Sequence, residues 1–565
     1  MSKNNTTVIK TKKNLSFAER LKRAKNKGDI AAGLMLLPAV IMLLVVSVYP
    51  FCWIFRYVCY EYNGLTATYT GMHNFERMLT DTTFWQSVLH TFEYAVLKII
   101  FIIPLALIMA VFLNQKLRGS SFFRGIYFMP TIISTAVSSM VFGFIFAAYN
   151  GVLNGVLKAI GVIGQNVNWL GDAKTAMWSV LIVALWAGFG NYMIYFISGM
   201  SSISEDVYES AKIDGANGIQ TFFKITLPML SPMLKIILML AITGAFKDYE
   251  SIMVLTNGGP NNRTQVMFLY IYQLIFGKDV GTNPQIGYAT VLSLVAALII
   301  GIVTAADLLF ICILQENLMR WYKEVLQMKM RKKNDTAVYS TGTKVIRFLV
   351  VLLMSFVAFL TLYPIFYVVL GAFKKNQELL TGGINIFPSE WIVQNFIDAW
   401  NSANFAVYTG NSIFLALSVM ILTLVVTSMA GYVFARKNFR GKELIYGLFV
   451  AFMFVNVGSV TLRPLFELAV KIHMNTSLWS VVFISAGTAQ ATYIFLIRGY
   501  MNSVPKELDE AAKIDGCTFF QTFYKIILPV LKPILATVAL LSFRGGWNEY
   551  ILPLVFTMTD ASKRP

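Results

Sequence analysis

The sequence predicts an all-α fold: a polytopic membrane helical bundle of two parallel repeats of about six spans, the second lacking its last. Three observations carry that reading. The composition is apolar and falls into long charge-free stretches, Lys and Arg gather beside alternate ends of those stretches, and one polar segment occurs twice. Of 565 residues, 56% are hydrophobic and 13% charged, and the mean hydropathy is +0.62. That balance lies far to the apolar side of a soluble domain.

Residues 31 to 55 carry no charge at all, and a spanning helix needs only about 20 such residues. The stretch is too long and too far from the N-terminus for a cleaved signal peptide, and no small-residue cleavage site follows it, so it predicts a retained anchor. Further apolar stretches fall at about 94 to 115, 125 to 148, 175 to 201, 229 to 256 and 285 to 315, completing six spans. A second series follows at about 346 to 372, 406 to 435, 444 to 466, 474 to 497 and 530 to 556. No sixth follows, so the count predicts an outside C-terminus and a truncated second half.

Orientation follows from basic residues, which are retained in cytoplasmic loops. Residues 1 to 30 hold nine basic and two acidic side chains, which places the N-terminus inside. Counting spans from there puts Lys116, Arg118 and Arg124 inside, then a linker with six basic and two acidic residues between Arg320 and Asp335, then Arg436, Lys437, Arg440 and Lys442. The loop from Tyr57 to Glu93 falls outside, with four acids against Arg77. The expected organisation is a basic cytoplasmic segment at 1–30, a first half at 31–318, a basic linker at 319–343 and a second half at 344–565.

The formal charge of +18 is accounted for by this topology, so nucleic acid is not an expected partner and the lipid bilayer is. Cys52, Cys59, Cys312 and Cys517 have no paired spacing of the metal-binding or redox kind. The three histidines, at positions 73, 90 and 473, have no adjacent candidate ligand, so no metal site is expected.

Because six is even, both halves enter from the same side. Tyr49-Pro50 answers to Tyr363-Pro364, and Asn74-Phe75 to Asn395-Phe396. The stronger copy lies in the cytoplasmic loop between the fourth and fifth spans. ESAKIDGANGIQTFFKITLPMLSP runs from Glu209 to Pro232 and EAAKIDGCTFFQTFYKIILPVLKP from Glu510 to Pro533, with 15 of 24 positions identical at a constant offset of 301 residues. Such identity in a polar loop points to two copies meeting the same partner surface. Each copy reads as two short helices around a glycine. Ser204 and Ser503 are candidate caps, and Gly215 and Gly516 permit a left-handed stop. Ile219, Phe222 and Phe223, like Phe519, Phe520 and Phe523, give an apolar stripe suited to a groove in another protein. Pro228 and Pro529 are expected to end the unit.

At these residues the sequence resembles the integral permease subunits of bacterial ABC importers. Their signature of Glu-Ala-Ala, three residues, Gly, nine residues and Ile-x-Leu-Pro is filled by Glu209, Ala211, Gly215, Ile225, Leu227 and Pro228, and again by Glu510, Ala511, Ala512, Gly516, Ile526, Leu528 and Pro529. The first copy departs at Ser210. Asn168-Trp169-Leu170-Gly171-Asp172 and Thr256-Asn257-Gly258-Gly259-Pro260 are similar to the carbohydrate-uptake branch. Arg498-Gly499-Tyr500 and Trp547-Asn548-Glu549 are similar to that branch's second permease type. The resemblance implies two permease types fused in one chain, although the family's permeases are usually separate. It also implies a bacterial plasma membrane location and an ATPase-coupling role for Glu209, Ala211, Asp214, Gly215, Phe222, Leu227, Pro228, Glu510, Ala512, Asp515, Gly516, Phe523, Leu528 and Pro529. It further implies two cytoplasmic ATP-binding subunits that use ATP and Mg, and an extracellular or periplasmic sugar-binding protein. This chain is expected to bind no cofactor itself and not to hydrolyse ATP, because no GxxxxGK followed by Ser or Thr occurs.

Ionisable groups within a span mark a cavity or a partner. Asp248, Tyr249, Glu250 and Asn548 are the candidates for a sugar path, because sugars take planar polar groups for their hydroxyls and aromatic faces for their rings. Pairing of Lys247 or Arg544 with nearby acids is the competing reading. An ion-coupled secondary transporter with parallel repeats is the alternative function. It predicts buried acids at mid-depth and has no need of repeated docking loops.

Overall fold

The computed structural model describes residues 29–114, 119–201, 203–277, 283–327, 341–381, 387–454, 458–502 and 504–556. The first repeat supplies α1 (Ile30–Tyr57), α2 (Thr82–Asn114), α3 (Ser120–Ile132), α4 (Thr135–Ile145) and α5 (Ala176–Ser201). The short α6 (Glu205–Ile213) and α7 (Gly218–Met229) follow, then α8 (Ser231–Lys247), α9 (Glu250–Leu255) and α10 (Ile286–Gln327). The second repeat supplies α11 (Thr341–Gly371), α12 (Phe405–Arg436), α13 (Lys442–Phe454) and α14 (Leu478–Met501). It continues with the short α15 (Glu507–Ile514) and α16 (Phe519–Val530), then α17 (Lys532–Trp547) and α18 (Ile551–Phe556).

The chain is an all-α membrane bundle, and its described residues hold fewer uninterrupted spans than the eleven expected. Among the described residues, seven helices are long and apolar enough to cross a membrane, or ten if three bent pairs each count as one. The span expected at 125 to 148 turns by 96° between α3 and α4. Pro130 tightens the end of α3 into a 3₁₀ turn, and the Ser134 hydroxyl accepts the Val137 N–H at 3.3 Å to start α4 afresh. Within the span expected at 444 to 466, residues 455–457 lie outside the described residues; α13 precedes them, and a 3₁₀ turn at Gly458–Thr461 leads into a helix over Leu462–Lys471 after them. The fifth span of the first half also breaks, at Asp248, whose backbone is extended. In the second half the break follows Trp547.

The compact units do not coincide with the two repeats. Of the described residues, one unit holds those up to Tyr49, Ser412–Met453 and Leu478–Trp547, and the other holds Pro50–Asn411, Phe454–Ser477 and those from Asn548 on. In the first unit, Ala32, Met35, Ala39 and Leu43 of α1 are buried with Val426 and Ala430 of α12 and Ala486 and Ile494 of α14. Gly487 allows the approach, since a Cβ there would stand 2.7 Å from the Val46 side chain. In the second unit, Met354 and Ala358 of α11 are buried among Ile102, Tyr127 and Phe189. The Tyr127 hydroxyl donates to the Met354 carbonyl at 2.6 Å, and the Trp186 indole donates to the Thr361 carbonyl at 3.0 Å. Away from water these donors need acceptors, and a helix carbonyl has a second lone pair to offer. Each repeat therefore sends its first helix into a core built mainly by the other.

The paired Asn-Phe letters acquire a shared physical role. Asn74 Nδ2 donates to the carbonyls of Val58 and Tyr60, at 3.1 and 2.9 Å, and Asn395 Nδ2 donates to those of Ala372 and Lys374, both at 2.9 Å. In each repeat this amide clamps the chain where it leaves the first span. After Tyr57 that chain forms a hairpin, β1 (Tyr60–Tyr62) against β2 (Ala67–Tyr69).

Candidate functional site

The repeated loop folds twice into the same elbow. Gly215 and Gly516 take φ of +78° and +79°, the left-handed conformation expected of them. The N–H after each glycine reaches back five residues, from Ala216 to the Ala211 carbonyl and from Cys517 to that of Ala512, which closes the preceding helix. The next helix opens with a reciprocal cap that sequence reading missed. The Asn217 and Thr518 side chains accept from the N–H of Gln220 and Gln521, at 2.8 and 3.3 Å. Those glutamines accept in return from the N–H of Asn217 and Thr518, at 3.0 and 2.9 Å. The spacing of a capping residue followed three places on by Gln was the available signal, and it explains why the glutamine is identical in both copies. Among the expected caps, the Ser204 hydroxyl accepts the Asp206 N–H at 3.3 Å, whereas Ser503 lies outside the described residues.

Pro228 and Pro529 stand one residue before the end of the unit, at Met229 and Val530. A π-helical turn at Phe222–Thr226 and Thr522–Ile527 precedes each, and Leu227 and Leu528 reach back five residues to the Phe222 and Phe523 carbonyls. The proline, which has no N–H to donate, follows directly on this turn, and the helix stops one residue later. The chain then bends by 75° and 80° into the fifth span.

Burial divides the expected coupling residues into two groups. Glu209, Asp214, Gly215, Glu510, Asp515, Gly516 and Pro529 are exposed. Ala211 and Ala512 are buried, as are Pro228 and Phe523, while Phe222, Leu227 and Leu528 are half-buried. The single stripe expected from the letters is thus split. Phe519 stacks on Tyr432 at 4.8 Å and Phe523 lies 5.3 Å from the same ring. Ile219, Phe223 and Phe520 remain outward, at 72%, 56% and 49% exposure. They are joined by Ile213 and Ile514, at 85% and 86%, which sequence reading had left unassigned. Placing Ala211 and Ala512 on the inner face would have located them, because two positions further on a helix turns most of the way to the opposite side.

The elbows are anchored by different chemistry. In the second, buried Asp509 accepts from the Tyr432 hydroxyl at 2.9 Å, and the Arg436 Nε lies 2.8 Å from its other oxygen. The Arg436 N–H is not aimed along that line, so the contact is an ion pair and not a hydrogen bond. Arg436 Nη2 also donates to the carbonyls of Val504 and Pro505, at 2.6 and 3.3 Å. In the first elbow the matching position is Tyr208, whose hydroxyl accepts from Thr226 Oγ1 at 3.4 Å. Arg498, of the Arg-Gly-Tyr letters, covers the Tyr446 ring at 3.7 Å and approaches Glu443 at 3.6 Å.

The expected path residues sit at the breaks and not inside continuous helices. Asp248 accepts from the Tyr94 hydroxyl at 2.6 Å, from Ser251 Oγ at 3.0 Å and from Lys98, with which it forms an ion pair. Its partner is Lys98 of α2, and not the neighbouring Lys247. Asn548 donates to the Ile132 carbonyl at 3.0 Å, across to the end of α3. Tyr249 lies 5.9 Å from the Tyr272 ring, and Glu250 opens α9 with its carboxylate in the field of Glu549. The Asn-Trp-Leu-Gly-Asp and Thr-Asn-Gly-Gly-Pro segments build loops. The Trp169 indole donates to Asn154 at 2.9 Å, and Arg263 grips Glu93 with two bonds of 2.6 and 2.7 Å.

The family model described as the inner membrane component of binding-protein-dependent transport systems matches the chain twice, at residues 102–321 and 427–562. The probable ABC transporter permease YurN of Bacillus subtilis (strain 168) is 34% identical over 278 residues, covering 48% of this chain and 93% of the relative. The lactose transport system permease LacF of Rhizobium radiobacter is 32% identical, covering 49% and 92%. The arabinooligosaccharides transport system permease AraQ of Halalkalibacterium halodurans is 32% identical, covering 36% and 72%. A solved bacterial ABC transporter involved in the import of the acidic polysaccharide alginate aligns over 53% of this chain and 99% of its own, with a TM-score of 0.45 and 22% identity. YurN, LacF and AraQ each match over most of their own length with about half of this chain or less, which fits two fused permease-type domains.

Proposed function

Since the chain belongs to the family of inner membrane components of binding-protein-dependent transport systems, we propose that it forms the membrane path of an ATP-driven ABC importer for a carbohydrate. The observation that carries the reading is the pair of elbows. Each offers a carboxylate, at Glu209 or Glu510, beside an outward isoleucine, at Ile213 or Ile514, and a repeated mixed surface of this kind suits two copies of one partner. Two cytoplasmic ATP-binding subunits seat there and hydrolyse ATP with Mg, and this chain passes their closure to the spans. The N-terminus and both elbows lie on the cytoplasmic side of a bacterial plasma membrane. A periplasmic or extracellular sugar-binding protein delivers substrate to the opposite face. The sugar specificity rests on what LacF and AraQ are named for.

Within the path, Asp248 and Asn548 hold the breaks in position, and Tyr249 and Glu250 beside them meet the sugar. The deciding experiment is uptake into vesicles that carry the chain with its ATP-binding subunits. A labelled disaccharide and an oligosaccharide series should enter with internal or external ATP on the elbow side and with no ion gradient, and ionophores should change nothing. Entry that follows a proton or sodium gradient in the absence of any ATPase would overturn the proposal in favour of ion coupling.

A further inference from the structure

We propose that the second elbow shares a binding site for an anionic phospholipid with the start of α1 and the end of α12. A cleft of about 940 Å³ opens there, and Ile30, Ala31 and Leu34 form one wall. Its polar side carries Arg436, Lys437, Lys506 and Lys513 against Asp509 and Glu510. The Asp509 charge is answered by Arg436, so three lysines face one remaining acid.

A second, smaller cavity of about 160 Å³ shares Lys437 and Asn438 with the first and continues between Gly33, Leu36, Val433 and Phe439. One end of this composite space is cationic and the other is aliphatic. α12 ends at Arg436, and Ile30 of α1 stands beside Asp29, the first described residue, at the charged edge of the charge-free stretch 31–55, so the space lies where two spans meet the membrane boundary, at the depth of a lipid headgroup. Lysines at that depth attract anionic headgroups, and an ammonium suits a phosphate as a compact charge. Leu34 and Leu37 of α1 are 63% and 49% exposed and carry the aliphatic face onward from the slot. A soluble anion would answer the lysines and leave the apolar slot empty, whereas a phospholipid answers both.

The site is independent of what is transported, and counting lipids needs no transport. The test is therefore native mass spectrometry of the purified full chain titrated with dioleoyl phosphatidylglycerol or dioleoyl phosphatidylcholine, with inorganic phosphate as the soluble competitor. Phosphatidylglycerol should bind in preference, and Lys506→Gln with Lys513→Gln should weaken it by at least about tenfold, because each lysine near an anionic surface contributes about fivefold. Lys506→Arg with Lys513→Arg should retain binding, which separates lost charge from lost folding. Gly33→Trp, which fills the slot, should weaken both lipids. Equal retention of the two lipids, undiminished binding in the glutamine pair, or displacement of the lipid by inorganic phosphate would each overturn the proposal, the last in favour of a soluble anion.

Discussion

Replacing Arg436 by Met tests whether the second elbow is held to α12 by charge. The substitution keeps much of the apolar stem and removes the guanidinium that faces Asp509, while the side chains of the pair are only 7% and 11% exposed. Removing one member of a buried pair costs about 3–5 kcal/mol, because a charge is left without compensation. Asp509 keeps its Tyr432 hydrogen bond, worth about 1.5–3 kcal/mol to a charged acceptor, so the lower end applies. A loss of about 3 kcal/mol shifts the balance between docked and undocked elbow by about a hundredfold. Amide hydrogen exchange over residues 504–516 should accelerate accordingly. The same measurement over 205–216 should not change, since that elbow uses Tyr208 and Thr226. Arg436→Met with Asp509→Leu removes both charges and should recover the part of the protection lost to the stranded carboxylate, because apolar replacement of a whole buried pair is nearly neutral, but not the part owed to the Val504 and Pro505 carbonyls that Arg436 also bonds. Unchanged exchange in the single variant, or a double variant no better than the single, would refute the argument.

Gly215→Ala meets no atom within 4 Å of the new Cβ, so its whole cost is the left-handed backbone, about 1–2 kcal/mol. Coupled uptake should fall, and Gly215→Asn should retain more of it; equal loss in both variants would point to a side-chain effect. Lys98→Met should lower thermal stability by about 3–5 kcal/mol by stranding Asp248, and adding Asp248→Asn should restore it. If Asp248→Asn alone abolished uptake at unchanged stability, Asp248 would be a substrate group and not a holding one. Ile213→Asp with Ile514→Asp should abolish pull-down of ATP-binding subunits and leave the unfolding temperature unmoved, since both sites are exposed; intact pull-down would remove the elbows from the docking surface. Gly487→Leu should destabilise by about 1–3 kcal/mol through overpacking against Val46, and cysteines at positions 46 and 487 should cross-link; failure to do so would place α1 elsewhere.

The helical membrane class was legible because length and apolarity are local properties that a span cannot avoid. The elbows were legible as well, because Gly215 and Gly516 occupy a backbone region that other residues resist. What the letters hid was direction. Phe222 and Phe523 look equivalent to Phe223 and Phe520 in a stripe, yet a π turn rotates the succeeding residues, and in the second elbow packing against Tyr432 turns Phe523 inward. The breaks at Ile132 and Asp248 were equally obscure, because an apolar run reads the same whether or not it bends. Asp248 is the sharpest case. Lys98 lies 150 residues away, so sequence proximity favoured Lys247 and could not reveal the real partner.

The exchange of first helices has a consequence for biosynthesis. When a ribosome has released α1, the surfaces of α12 and α14 that cover Ala39 and Leu43 are still hundreds of codons away. Until they arrive, those side chains must rest against lipid or an insertion factor. The α2 and α5 core likewise waits for α11 before Tyr127 and Trp186 find their acceptors. Neither half can mature ahead of the other, so severing the chain near residue 330 and expressing the pieces apart should yield two polypeptides that survive only when they meet.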